Sequence, residues 1–190
     1  MKLLALETAT EACSCAVWID GAFHQAHAVA PQRHAELILD MADEVLAAAG
    51  LEAGALDAIA VGRGPGSFTG VRIAIAVAQG MASARGLPVV PVSTLRVLAQ
   101  GALRGGGHRR VLAALDARMG EVYWGAFSAS GDGRVMAPGE ECVCLPGDVP
   151  LPPGGEWLGA GPGWAAHAGA LDARLGGRVG ARLAEALPEA

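Results

Sequence analysis

Residues 2–29 read KLLALETATEACSCAVWIDGAFHQAHAV, and how this stretch is parsed decides the fold. KLLALE is a short apolar run that ends in an acid, Glu7. TATEA is polar turn material, CSCAVWI is a second apolar run, and Asp20-Gly21 is a strong two-residue hairpin signal. AFHQAHAV then returns as a third strand. The same succession opens again at residues 111–136, VLAALDARMGEVYWGAFSASGDGRVM. A strand again ends in an acid (Asp116, as at Glu7), and a second strand again carries a tryptophan (Trp124, as at Trp18). Another turn holds Asp132-Gly133. The short match of LLALET to LAALDA proves little, but the repeated order predicts two similar α/β halves with a cleft between them. RGGGHRR (residues 104–110) reads as the hinge, so the expected domains are 1–104 and 105–190.

Between the two copies the pattern alternates. Pro31 opens a helix whose apolar positions Ile38, Met41, Ala42, Val45 and Ala49 follow the 3.6-residue period, and Gly50 ends it. LDAIAVG (residues 56–62) is a buried strand, a glycine-rich turn follows, and Val71 to Arg85 is a second helix. LPVVPV (residues 87–92) is a last strand, and Ser93 caps a third helix to about Leu103. The first half is therefore βββαβαβα.

With 52% hydrophobic residues the chain has material for real cores, and with only 4% aromatic residues those cores are built mostly from Ala, Val and Leu. Lys and Arg number 14 against 19 Asp and Glu, a net charge of -5. That balance argues against a stand-alone nucleic-acid binder, which needs a basic face. The N-terminal run is too short and too acidic for a signal peptide. No apolar stretch approaches the ~20 residues of a membrane span, so a cytoplasmic protein is expected. Cys13/Cys15 and Cys142/Cys144 are each two apart. On a strand this spacing separates residues by roughly 7 Å, too far for a shared tetrahedral zinc, so small thiols in a reducing compartment are expected. His24 and His27, three apart on one strand, point to opposite faces.

VGRGPGSFTGVRIAIAVAQG (residues 61–80) looks like a phosphate loop but matches neither standard form. It lacks the lysine of G-x-x-x-x-G-K-[ST], and Ser67 stands where G-x-G-x-x-G needs glycine. A strand, a glycine turn and a helix N-terminus still offer backbone N–H groups to an anion. Equally, the glycines serve close packing. In the helix that follows, the polar positions Arg72, Gln79 and Ser83 form a narrow stripe, and Ala74, Ala76, Ala78 and Gly80 permit close helix approach. Such a helix is either wholly internal or shared with another chain.

LALETATEACSCAVW, GRGPGSFTGVRIAIAVAQG and DARMGEVYW together resemble the signature segments of the TsaB family, bacterial proteins required for threonylcarbamoyladenosine in tRNA. The resemblance covers most of residues 1–130 and implies the actin-like ATPase (sugar-kinase-like) fold with two ribonuclease-H-like lobes. It also implies a non-catalytic subunit that binds and activates TsaD, the transferase of the threonylcarbamoyl group. The resemblance implies as well that a TsaE-like ATPase docks on that pair, that homodimers form when the partner is absent, and that tRNA is met only through the complex. The alternative is an ATP-dependent phosphotransferase or hydrolase, and an older description of the family is glycoprotease-like.

Enzymes of the TsaD kind carry two metal-binding histidines one helical turn apart after a strand ending in Pro-Val. The matching stretch here, VPVSTLRVLAQG (residues 90–101), has no histidine, so no metal and no cofactor are expected. Ser93 lacks a neighbouring His and Asp and reads as a cap rather than a nucleophile. Glu7 and Asp116 fall where kinases of this fold place magnesium-binding acids; with Thr8, Gly64, Gly66 and Ser67 they are the weak candidates for a nucleotide site. The expected partner interface is His34, Leu37, Ile38, Met41 and Val45 on the first helix, with Arg72, Ile73, Ala76, Gln79 and Gly80 on the second. Family members run some tens of residues beyond LAEALPEA, so a shortened form or a reduced second lobe is expected. The Gly/Pro-rich segment at residues 145–164 fits the latter.

Overall fold

Three strands, β1 (Lys2–Glu7), β2 (Ala12–Ile19) and β3 (Ala22–Val29), open the chain as an antiparallel meander. Positive φ at both Asp20 and Gly21 makes the tight turn between β2 and β3. This is a computed structural model that describes residues 1–105, 107–137 and 139–190. Gly106 of the expected hinge lies outside the described residues. Helix α1 (His34–Ala48), β4 (Ala58–Gly62), α2 (Phe68–Arg85) and β5 (Val89–Val92) follow. The sheet order is β3-β2-β1-β4-β5, with β4 parallel to both β1 and β5. The βββαβαβα order predicted from periodicity is the one found, completed by α3 (Thr94–Arg104).

Element ends moved for local reasons. α1 begins three residues after Pro31, because Gln32 takes a positive φ of 67° that interrupts helical geometry. At its far end Gly50 (φ 65°) lets its own N–H reach the Ala47 carbonyl and that of Leu51 reach Leu46. α2 begins three residues before Val71, since the Ser67 hydroxyl accepts the Gly70 N–H at 3.3 Å and caps the helix.

The core of this unit gathers Leu4, Leu6, Cys13, Cys15 and Val17 from the sheet. Onto them pack Ile38, Met41, Ala42 and Val45 of α1 and Ala74, Ala78 and Ala82 of α2. The alanine row, spaced by four, is what brings α2 close to the strands.

The second sheet comprises β6 (Arg110–Arg118), β7 (Glu121–Ala129), β8 (Val135–Met136), β9 (Cys142–Cys144), β10 (Trp157–Ala160) and β11 (Val179–Leu183). Its order is β11-β10-β6-β7-β8, with β9 also pairing to β7. Met119 and Gly120, both at positive φ, make the turn between β6 and β7. Leu95, Leu98, Ala99 and Ala102 of α3 bury with Val111, Ala113, Leu115 and Phe127 on one face. Helices α4 (Gly163–Ala166) and α5 (Ala168–Leu175) cover the other, where Trp124, Trp157, Trp164 and Leu171 pack with Leu112 and Ala114.

The chain divides into two compact units, Met1–Thr94 with Glu189–Ala190, and Leu95–Pro188. The division precedes α3 rather than following it at residue 104, because the apolar face of α3 belongs to the second core. Among the described residues no helix is long and apolar enough to cross a membrane.

Candidate functional site

The glycine loop runs from the end of β4 into α2, and the connection between β1 and β2 holds it. Glu7, the last residue of β1, is 2% exposed. One carboxylate oxygen accepts the Ala9 N–H at 2.8 Å and the other accepts the Thr94 hydroxyl at 3.1 Å. Burial pushes its carboxyl pKa up, and the hydrogen bonds from Ala9, Thr94 and Thr8 oppose that rise. A Cβ on Gly62 would collide with this carboxylate, so glycine there is a condition of the Glu7 position. Thr8 donates its hydroxyl to the Gly70 carbonyl at 2.7 Å, and a Cβ on Gly70 would collide with the Thr8 carbonyl oxygen. Gly66 lies as tightly against Ala9, whose carbonyl accepts the Ser67 N–H at 2.7 Å. The Gly64–Pro65 peptide is cis, and the Gly64 carbonyl accepts the Thr94 N–H at 3.0 Å.

These contacts support the close-packing reading of the loop. Gly62, Gly66 and Gly70 are required by close approach to residues 7–9, and the N–H groups of Ser67 and Gly70 already serve the protein itself. Glu7, Thr8, Gly64, Gly66 and Ser67 are thus brought together as a clamp that locks α2 onto β1. The Glu7 carboxylate fits a cation poorly, being enclosed with both oxygens engaged.

Asp116 lies near the end of β6 in the second unit, just before the register shift that precedes Arg118, as Glu7 ends β1 in the first. It is half-buried, accepts the Arg118 N–H at 3.2 Å and pairs with His167 Nε2 at 3.2 Å. Sequence reasoning missed His167 and Thr94, the partners of the two strand-end acids. Each lies far along the chain from its acid, and neither stands in a motif. Among the described residues no group of three or more His, Cys, Asp or Glu side chains is placed to hold a metal.

The expected partner residues separate into two sets. Ile38, Met41 and Val45 are a correction: they are buried in the core of their own unit, and so is His34, whose Nε2 has no hydrogen-bond partner. The helical period identified an apolar stripe correctly, but that stripe faces the sheet. Leu37 and Ile73 are half-buried at its margin. Arg72, Ala76, Gln79 and Gly80 are exposed and lie along one side of α2 with Ser83. Phe68, absent from the expected set, heads this stripe at 74% exposure with the Arg72 guanidinium stacked 3.1 Å from its ring centroid. A large exposed aromatic at a helix start was the available signal. α2 is therefore neither wholly internal nor wholly exposed: alanines face its sheet, and a row of small and polar residues faces outward.

Gly80 stands out on that row. A Cβ there would meet nothing within 4 Å, and its φ is not in the left-handed region. Unlike Gly62, Gly66 and Gly70, it answers no need of its own unit.

The cysteines behave differently by pair. Cys13 and Cys15 are buried, and burial pushes the Cys13 thiol up to about 11 and that of Cys15 higher still. Cys142 and Cys144 on β9 are half-buried with their sulfurs 4.0 Å apart, closer than the strand repeat suggested. Burial, then Cys142, then the carboxylates of Asp148 and Glu121 push the Cys144 thiol up to about 11.

Residues 27–155 match the family described as TsaD: tRNA N6-adenosine threonylcarbamoyltransferase. The tRNA threonylcarbamoyladenosine biosynthesis protein TsaB of Escherichia coli is 46% identical over 169 residues, covering 87% of this chain and 73% of that protein. The protein of the same description from Haemophilus influenzae is 48% identical over 124 residues, covering 65% of this chain and 52% of the relative. The solved structure of YeaZ from Pseudomonas aeruginosa matches with a TM-score of 0.92 at 46% identity, over 100% of this chain and 86% of that one. The two mixed sheets with their helices are the α/β arrangement of the actin-like ATPase fold. The chain belongs to the TsaB family of tRNA threonylcarbamoyladenosine biosynthesis proteins.

Proposed function

We propose that this chain is a non-catalytic subunit that binds and activates a TsaD-like threonylcarbamoyl transferase, in the pathway that makes threonylcarbamoyladenosine next to the anticodon of tRNA. The observation that carries this reading is Gly80. A glycine inside a helix costs about 1 kcal/mol relative to alanine, and nothing in its own unit requires it. On a stripe with Arg72, Ala76 and Gln79, it lets a partner backbone approach α2 closely.

The strand-end acids support the non-catalytic part. Glu7 is enclosed and committed to holding the loop, and Asp116 is engaged by His167 and Arg118. A TsaE-like ATPase would join the pair, and a second copy of the chain would take the same stripe when the transferase is absent. Net charge -5 agrees with tRNA being held by the complex rather than by this subunit.

Ala76→Glu places a charge on the exposed stripe without touching the core. The variant should unfold within about 0.5 kcal/mol of the parent, as exposed substitutions do. On a sizing column it should run as a monomer and fail to co-elute with the transferase. Co-elution at the parent level would refute the interface.

A further inference from the structure

We propose that Cys142 and Cys144 form a two-thiolate site for a soft, thiophilic monovalent cation, of which Cu(I) is the probe. The two sulfurs are 4.0 Å apart, so an ion at their midpoint would sit half that distance, 2.0 Å, from each. A displacement of about 1.1 Å off the line gives metal–sulfur bonds of about 2.3 Å, the length of a zinc–thiolate bond. A disulfide fits less well. It needs sulfurs about 2 Å apart and Cα atoms within roughly 7 Å, and an extended strand places residues two apart at that limit. Closing the bond would pull β9 out of register with β7, where Cys142 pairs with Trp124 and Cys144 with Val122.

Ligand number selects the ion. No third His, Cys, Asp or Glu joins the pair among the described residues, which leaves zinc short of its tetrahedral set and suits an ion content with two soft ligands. Both thiols are partly open to solvent, whereas Cys13 and Cys15 are closed inside the first core. Binding replaces two S–H bonds with two metal–sulfur bonds and releases two protons, and the copper stays in the +1 state throughout.

The test is an anaerobic titration of the full chain against Cu(I) held by a coloured chelator, with reductant in excess. The chain should withdraw one equivalent, and Trp fluorescence should fall because Trp124 lies across from Cys142. Cys142→Ser and Cys144→Ser should each abolish the transfer, and a Cys13→Ser/Cys15→Ser double variant should keep it. Mass spectrometry of the unaltered chain gives a reading that no variant's folding can confuse: Cu(I) should shield Cys142 and Cys144 from iodoacetamide. No withdrawal by the parent chain, equal withdrawal by Cys142→Ser, or undiminished alkylation of both residues would each overturn the site.

Discussion

The two sheets begin alike and are clothed differently. In the first unit both helices lie on the face of Leu4, Leu6 and Cys15, and no helix of that unit covers the opposite face. In the second unit α3 takes one face and α4 with α5 the other. The corresponding tryptophans record the difference: Trp18 is 38% exposed and Trp124 only 1%. Trp124 sits 5.7 Å from the Trp164 ring, and Trp164 donates its indole N–H to the Leu112 carbonyl at 2.9 Å. A duplicated strand order thus fixes how backbones pair and leaves open what covers each face: in the first unit Ala12, Ser14 and Ala16, opposite the helices, are buried without a helix of that unit over them. In the first unit the helix layer ends at the outer stripe of α2, where the proposed partner would sit.

The largest expected effect probes that contrast directly. Trp124→Ala should lower unfolding free energy by about 3–5 kcal/mol, the usual loss for emptying a core aromatic site. Trp18→Ala should cost about 1 kcal/mol or less, the scale of the cross-strand pair it makes with Phe23. Urea unfolding of both variants measures the gap, and equal losses would break the comparison.

A middle-sized effect concerns Glu7, the acid at the end of β1. Glu7 has a folded-state pKa raised above its ordinary value of 4.5, because burial outweighs its hydrogen bonds. Its contribution to stability is therefore fully present below about pH 4.5 and is lost as pH rises through the folded value. Stability measured against pH should show this decline, and Glu7→Gln should flatten it.

Much of this molecule was legible before any coordinates. Alternating apolar runs, Asp20-Gly21 and the acid-tipped repeat located the strands, because pairing and turns are set by neighbours in sequence. The clamp was not legible. Thr94 reaches Glu7 across 87 positions, and His167 reaches Asp116 across 51. The helical period found the stripe of Ile38, Met41 and Val45, yet period alone says that a face is apolar and not what it touches. On α2 the decisive residue was a glycine, and only the space around it separates one needed for packing from one that its own chain does not need.

Gly80→Ala is the smallest change and the most direct test of the central claim. In the isolated chain it should raise stability by about 0.5–1 kcal/mol, since alanine is the better helix former and the added methyl meets nothing. Titration of the same variant with the TsaD-like transferase should show affinity lower by about tenfold or more, because a methyl forced into a close contact costs about 1–3 kcal/mol. A more stable chain that binds less well is the predicted result. A more stable chain that binds the transferase as tightly as its parent would contradict the account.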